Sequence, residues 1–192
     1  MNVYDFDKTI FYPDSSVKFF FHCLKRHPLA VLRTAPALAV GAVRYAAGSL
    51  DTKGLKERIF AFLRFLPDAQ DEVEDFWQQN FRRVGGWYLE RRRPDDLIIS
   101  ASPEFLLRPA ADRLGVRLIA TSMDIKTGRI DGANCHDMEK LRRFETEYGD
   151  AAVDEFYSDS LSDTPMAERA ERAYLVSRGA LKPWRDGKGK GA

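Results

Sequence analysis

Val3-Tyr4-Asp5-Phe6-Asp7-Lys8-Thr9 lies near the start of a 192-residue chain, and the fold turns on how it is read. Val3 to Phe6 has the character of a very short strand that runs straight into acids. Two aspartates at a strand end usually mark a turn. Here Val3, Tyr4, Phe6, Ile10 and Phe11 surround them, and that apolar setting argues against an ordinary surface loop.

Outward from this strand the pattern changes to helical. Ser15 and Ser16 are placed to cap a helix over Val17–Arg26, and Pro28 starts a second that ends near Gly48. Asp51 or Thr52 caps a third over Gly54–Phe65, with Leu55, Ile59, Phe62, Leu63 and Leu66 at helical spacing. A fourth runs from Ala69 toward Glu90 on the stripe Val73, Phe76, Trp77 and Phe81. After Pro94 apolar runs of buried-strand type alternate with helices. Leu97–Ile99, Val116–Ala120, Val153–Ser158 and Ala173–Val176 are the strands; the stretch from Met123 to Gly132 is hairpin-like, with Lys126-Thr127-Gly128 at its turn. Helices are expected from Ser102-Pro103-Glu104 to near Gly115, over Asp137–Tyr148, and over Pro165–Ala170.

This alternation predicts an α/β fold, a Rossmann-like parallel sheet with helices on both faces. The first strand belongs to that sheet, so residues 15–92 are an inserted helical-bundle cap over the carboxyl ends of the strands. Residues 1–14 and 93–181 form the core domain, and 182–192, ending in GKGKGA, form a flexible tail.

Composition narrows the function. Thirty basic residues against twenty-nine acidic ones give a net charge of +1, with no electrostatic footprint for nucleic acid. Cys23 and Cys135 form neither a disulfide framework nor a CxxC knuckle. His22, His27 and His136 lack the spacing of a helical zinc site and read as surface or packing residues. The opening MNVYDFD is no signal peptide. The apolar region 28–47 is broken by Arg33, Arg44 and two prolines, short of the ~20 predominantly apolar residues that a spanning helix needs. A cytoplasmic location is expected; oligomeric state is not legible.

Candidate chemistry falls at three predicted strand ends: Asp5 and Asp7, then Ser100, then Asp159 with Asp163. Lys140 lies near the start of the helix between the last two. In a parallel sheet these ends converge on one edge. Carboxylates crowded there repel unless a hard cation with oxygen ligands, Mg²⁺ by preference, sits among them.

In their order, Asp5-Phe6-Asp7-Lys8-Thr9, Ser100, Lys140 and Asp159-xxx-Asp163 resemble the four motifs of the haloacid dehalogenase superfamily. The helical insertion resembles the cap of its phosphoserine-phosphatase-like branch. The resemblance implies an Mg²⁺-dependent phosphatase acting on a small phosphorylated metabolite. Asp5 would be the nucleophile and Asp7 the acid and base, with Ser100 and Lys140 on the phosphoryl oxygens. Asp5, the carbonyl of Asp7, and Asp159 would ligate the metal, with Asp163 behind or among them. Asp7-Lys8-Thr9 is also similar to the DKTGT of ion-pumping ATPases, which would make Asp7 the nucleophile. In both patterns a threonine stands four residues after the attacking aspartate; counting from Asp5 reaches Thr9, and from Asp7 reaches Phe11.

Bland readings stand beside several of these. Ser102 reads as a helix N-cap with Pro103 at N1, leaving Ser100 as the phosphate ligand. Lys140 has Arg142 and Arg143 close by as rivals in register. Asp163 also precedes a helix capped by Thr164. For substrate choice, Asp14 and Arg58 resemble the amine- and carboxylate-reading residues of phosphoserine phosphatases, while Ser100-Ala101-Ser102 departs from their Ser-Gly-Gly. As rivals, Asp14 is a turn acid and Arg58 an exposed helix residue. Phe19-Phe20-Phe21 and the Ala/Val/Leu-rich second helix resemble the caps of the phosphatidylglycerophosphatase C group. That resemblance implies a membrane-lipid phosphate as the alternative substrate and weak membrane-surface contact through the cap, with Arg33 and Arg44 meeting lipid phosphates. The rival is that the Phe triplet and Leu24 are simply the core of the cap. Two further alternatives are a phosphotransferase and a catalytically retired regulator on the same fold.

Overall fold

In the computed structural model, which describes residues 1–184, six strands form one sheet in the order β3-β2-β1-β4-β5-β6. They are β1 (Asn2–Tyr4), β2 (Leu97–Pro103), β3 (Arg117–Thr121), β4 (Val153–Ser158), β5 (Ala170–Ser177) and β6 (Ala180–Pro183). The first five are parallel and β6 returns antiparallel on β5. The three-residue β1 is central, with Val3 opposite Leu97 on one side and Phe156 on the other.

Successive side chains point to opposite faces of a strand, and both faces here are covered, which is why the strands are near-continuous apolar runs. Val3, Leu97, Ile99 and Phe156 pack with Phe144 and Met166 of α8 (Met138–Tyr148) and α9 (Thr164–Arg169). Tyr4, Ile98, Leu118 and Tyr157 face the other way, toward Leu106, Leu107 and Ala110 of α7 (Glu104–Leu114). Tyr4, Tyr157 and Tyr174 stack across β1, β4 and β5 at 4.7 and 5.1 Å between ring centroids.

Six helices lie between β1 and β2: α1 (Ser15–Arg26), α2 (Pro28–Leu32), α3 (Ala35–Ala46), α4 (Thr52–Ile59), α5 (Ala69–Asn80) and α6 (Gly86–Leu89). Four were expected. The second divides because the Thr34 hydroxyl turns back to donate to the Val31 carbonyl at 2.9 Å, and Pro36 has no N–H to continue the ladder. The third ends at Ile59 and tightens into a 3₁₀ turn over Phe60–Phe65, which buries Phe60, Phe62 and Leu63 together. The fourth stops at Asn80, whose amide donates to the Phe76 carbonyl at 2.8 Å, and a 3₁₀ turn over Phe81–Arg83 followed by Val84 and Gly85 separates it from α6.

Two other expectations change. The strand expected at residues 173–176 is longer, and β6 takes Lys182 and Pro183 out of the expected tail, with Trp184 packed 6.0 Å from Phe156. The expected tail beyond, 185–192, lies outside the described residues. The Phe triplet does not make a separate core either. Phe19 is buried, Phe20 half-buried and Phe21 60% exposed, and a single apolar cluster runs from Tyr4 and Ile98 through Leu106 to Phe19, Phe62, Phe76 and Trp77. Cys23 and Cys135 are buried and unpaired. Among the described residues no helix is long and apolar enough to cross a membrane.

Candidate active site

The chain leaves β1 toward α1 and β2 on one side, and β4 joins it on the other. The crevice of an open parallel sheet opens where the strand order reverses in this way. A cavity of about 690 Å³ lies there, with Asp5, Asp7, Ser100, Ser102, Lys140, Asp159 and Asp163 among its lining. The ends of β1, β2 and β4 and the start of α8 thus bring together residues separated by up to 158 positions (163 − 5).

Asp5 is 7% exposed. One carboxylate oxygen accepts from Lys140 Nζ at 2.7 Å, the other from the Thr9 hydroxyl at 3.2 Å. Burial pushes this carboxyl up to about 6, against the pull of Lys140. Lys140 is itself 2% exposed and also donates to Asp163 Oδ2 at 2.7 Å. Burial opposes its charge, but Asp5 and Asp163 outweigh that and hold it protonated. Of the three basic residues on α8 it is Lys140 that meets Asp5; Arg142 and Arg143 instead grip Glu139 at 2.6–2.8 Å.

Asp7 has different neighbours. Ser15 N–H donates to Oδ1 and the Ser102 hydroxyl to Oδ2, each at 2.5 Å. Burial lifts Asp7 to about 7, and the charge of Asp14 adds to the rise. Lys8, between the two acids, is exposed and takes a left-handed φ of 59°, unusual for a residue with a side chain. The Lys8 N–H donates to the Phe11 carbonyl at 2.7 Å, folding the segment over Phe6, Phe11 and Trp77.

Ser102 corrects the sequence reading. β2 continues through it to Pro103, which takes the N-cap position of α7, so Ser102 caps nothing there. Its hydroxyl meets Asp7 and Ser16, and its N–H donates to Ser100 Oγ at 3.1 Å. Asp163 is buried, accepting from Lys140 and, at 2.7 Å, from the Ser158 hydroxyl; Thr164 does not cap α9. Asp14 both lines the cavity and caps α1, accepting from Val17 N–H at 3.0 Å.

Arg58 is not among the lining residues. Its side chain lies over Gly41 and donates to the Gly54 carbonyl at 3.0 Å, joining α4 to α3. The cation that α4 does bring in is Lys56, which donates to the Ala101 carbonyl and Asn134 Oδ1, both at 2.7 Å. Burial lowers it to about 8. Nothing in its spacing separated Lys56 from Arg58, since only the rotation of α4 decides between them. His136 stands exposed at the cavity wall, while His22 and His27 bind Glu72.

The donors suit a hard cation. Beyond burial, Asp163 and Asp159 add to the rise of Asp5, and Asp163 to that of Asp159, so the carboxylates lie close enough to repel one another. Among the described residues no three acidic, histidine or cysteine side chains close into a ligand set. Mg²⁺, however, takes one or two carboxylates and keeps several waters. Asp5, Asp159 and the Asp7 carbonyl fit that demand.

A protein of unknown function from Bordetella pertussis Tohama I has a similar structure, with a TM-score of 0.71 and 23% identity over 90% of this chain and 87% of that one. A substrate-bound phosphoserine phosphatase shares the fold at a TM-score of 0.57 and 14% identity, covering 89% and 82%. Protein CicA of Caulobacter vibrioides is 29% identical over 190 residues, 92% of this chain and 86% of that protein. Residues 3–168, from the first strand to within α9, match the haloacid dehalogenase-like hydrolases, and the chain belongs to that family.

Proposed function

We propose that the protein is an Mg²⁺-dependent phosphomonoester hydrolase that works through an aspartyl-phosphate on Asp5 and acts on a small phosphorylated metabolite. One observation carries this reading: two aspartates two residues apart have environments suited to different duties. Asp5 is paired with an ammonium, while Asp7 meets only neutral donors and titrates higher. Such a division assigns nucleophile and acid.

The Asp5 carboxylate attacks phosphorus, and the ester P–O bond breaks as Asp7 delivers its proton to the departing oxygen. Asp7, now ionised, takes a proton from water. That water attacks phosphorus, releasing phosphate and restoring Asp5. Lys140 and Ser100 hold the phosphoryl oxygens, and Ser102 N–H fixes the Ser100 hydroxyl. Mg²⁺, held by Asp5, Asp159 and the Asp7 carbonyl, would neutralise phosphoryl charge. Helices α1–α5 would act as the cap, whose residues choose the leaving group.

Hydrolysis of p-nitrophenyl phosphate tests the proposal. Turnover should require Mg²⁺ and vanish in Asp5→Asn; full activity after exhaustive chelation, or in that variant, would sink it. A second reading, an ester with an apolar leaving group, is favoured by the cavity wall of Val17, Phe20, Leu38, Ala42 and Ile59. A series of alkyl phosphates, compared by kcat/KM, separates the two.

A further inference from the structure

Between Asp14 and Asp51 the chain holds no acidic residue, while Lys18, Lys25, Arg26, Arg33 and Arg44 are basic. This stretch is also where the described residues expose apolar surface. Seven of the eleven large exposed hydrophobics fall between Val17 and Tyr45, so the exposure is concentrated on α1, α2 and α3. Leu29 and Leu32 share one face of α2, at 74% and 57% exposed; Val40 and Val43 share one face of α3, at 59% and 69%. Scattered surface hydrophobics need no explanation, but a concentration of them does.

α3 is the sharpest case. Its residues are Ala, Pro, Leu, Val, Gly, Arg and Tyr, and its one buried position is Gly41, pressed under Arg58. A helix this apolar normally buries a stripe in a protein core, and α3 does not. The cations around it are also not spent on acids. Of the five, only Arg26 forms ion pairs among the described residues, with Glu72 and Asp75. Arg33 lies 5.4 Å over the Phe65 ring, itself 43% exposed, and Arg44 donates to the Ser49 carbonyl.

We propose that α1–α3 dock the protein on an anionic lipid surface. The argument is charge complementarity combined with aliphatic exposure. Helices that set an apolar face against one rich in lysine and arginine lie in the headgroup plane, and exposed aliphatic side chains near basic ones give α1–α3 the same two attractions to an anionic surface. A second copy is the weaker fit, because an isologous contact would set Lys18, Lys25, Arg33 and Arg44 of these helices, unpaired among the described residues, against their own copies. Among the described residues no helix is long and apolar enough to cross a membrane, and the proposed contact is with the headgroup layer. The cavity wall residues Phe20, Leu38 and Ala42 belong to α1 and α3, so docking sets the cavity beside the lipid. The proposal does not depend on the chemistry assigned to Asp5.

The test is cosedimentation of the full chain with vesicles of phosphatidylcholine alone, or mixed with phosphatidylserine, at low and high salt. Binding should require the anionic lipid and weaken with salt. Val40→Asp with Val43→Asp should abolish it while p-nitrophenyl phosphate turnover and Tm stay unchanged, since both positions are exposed. Arg33→Gln and Arg44→Gln should each weaken partitioning about fivefold, the factor matching ~1 kcal/mol per basic residue at such a surface. Leu89→Asp, exposed on α6, should bind as the parent does. Absence of binding to anionic vesicles overturns the proposal, as does binding that survives Val40→Asp with Val43→Asp. A dimer seen by sedimentation equilibrium and broken by those substitutions, without vesicle binding, assigns the surface to a second copy instead.

Discussion

Asp7→Asn separates the duties of the two aspartates with two readouts. With p-nitrophenyl phosphate, whose leaving group needs no proton, Asp5 should still be phosphorylated and the adduct should accumulate, because no base activates water. Intact mass after rapid quench checks this, and ~10²–10⁴-fold is the loss expected for a leaving group that does need a proton. Absence of the adduct would recast Asp7 as a structural residue. The second readout is stability. Aspartate titrates near ~3.9 in unfolded chains, and Asp7 is held at about 7 in the fold. The folded state therefore keeps the proton longer, and the stability linked to it is full below ~3.9 and lost as pH rises through about 7. Asparagine removes that loss, so Asp7→Asn should raise Tm more at pH 8 than at pH 5, measured with chelator present. That Asp5, Asp7, Lys140 and Asp163 share one cavity was legible because the ends of parallel strands, and the helix that leads into the next strand, meet at one edge of a sheet. Ser102 was misread because a serine before proline and glutamate looks the same whether it caps a helix or ends a strand. Lys56 was passed over for Arg58, since adjacent cations on a helix differ only in azimuth.

At the scale of elements, the loop after β3 locks onto the 3₁₀ turn of the insertion. Asp124 organises it, accepting at Oδ1 from Lys126 N–H, Thr127 N–H and the Thr127 hydroxyl. Gly128, at φ 70°, then lies directly against the Phe60 backbone. Gly128→Ala should cost ~1–2 kcal/mol for the left-handed backbone alone, and more for the collision of its Cβ with the Phe60 carbonyl. A fall in the urea midpoint at unchanged m-value checks this; an unchanged midpoint refutes the packing described. The parallel strands were readable as apolar runs, with Pro94 and Gly115 marking where two of them begin. Only Lys126-Thr127-Gly128 signalled the loop, and nothing local showed that it meets Phe60. The breaks at Thr34, Ile59 and Asn80 escaped notice because helical spacing continues across them. β6 escaped because an edge strand exposed along most of its length carries little hydrophobic signal.

For the whole molecule, the cluster that joins β1, β2 and α7 to α1 and α5 has no gap at the boundary between sheet and insertion. Trp77 of α5 donates its indole N–H to the Leu106 carbonyl of α7 at 2.5 Å and lies edge-on to Phe6 and Phe11, which flank Asp7. Thermal unfolding should accordingly follow one transition, with calorimetric and van't Hoff enthalpies equal. Two separated transitions would mean that the insertion has a core of its own. A chain whose sequence reads as two modules shares one apolar cluster between them, and that bears on transplantation. Excising residues 15–92 would strip from α7 the helices that rest on it, including Trp77, whose indole N–H the Leu106 carbonyl accepts. A foreign insertion would have to match that helix side chain for side chain. Recombination between relatives should succeed only when α7 travels with the helices that rest on it, so the exchangeable unit is longer than the insertion.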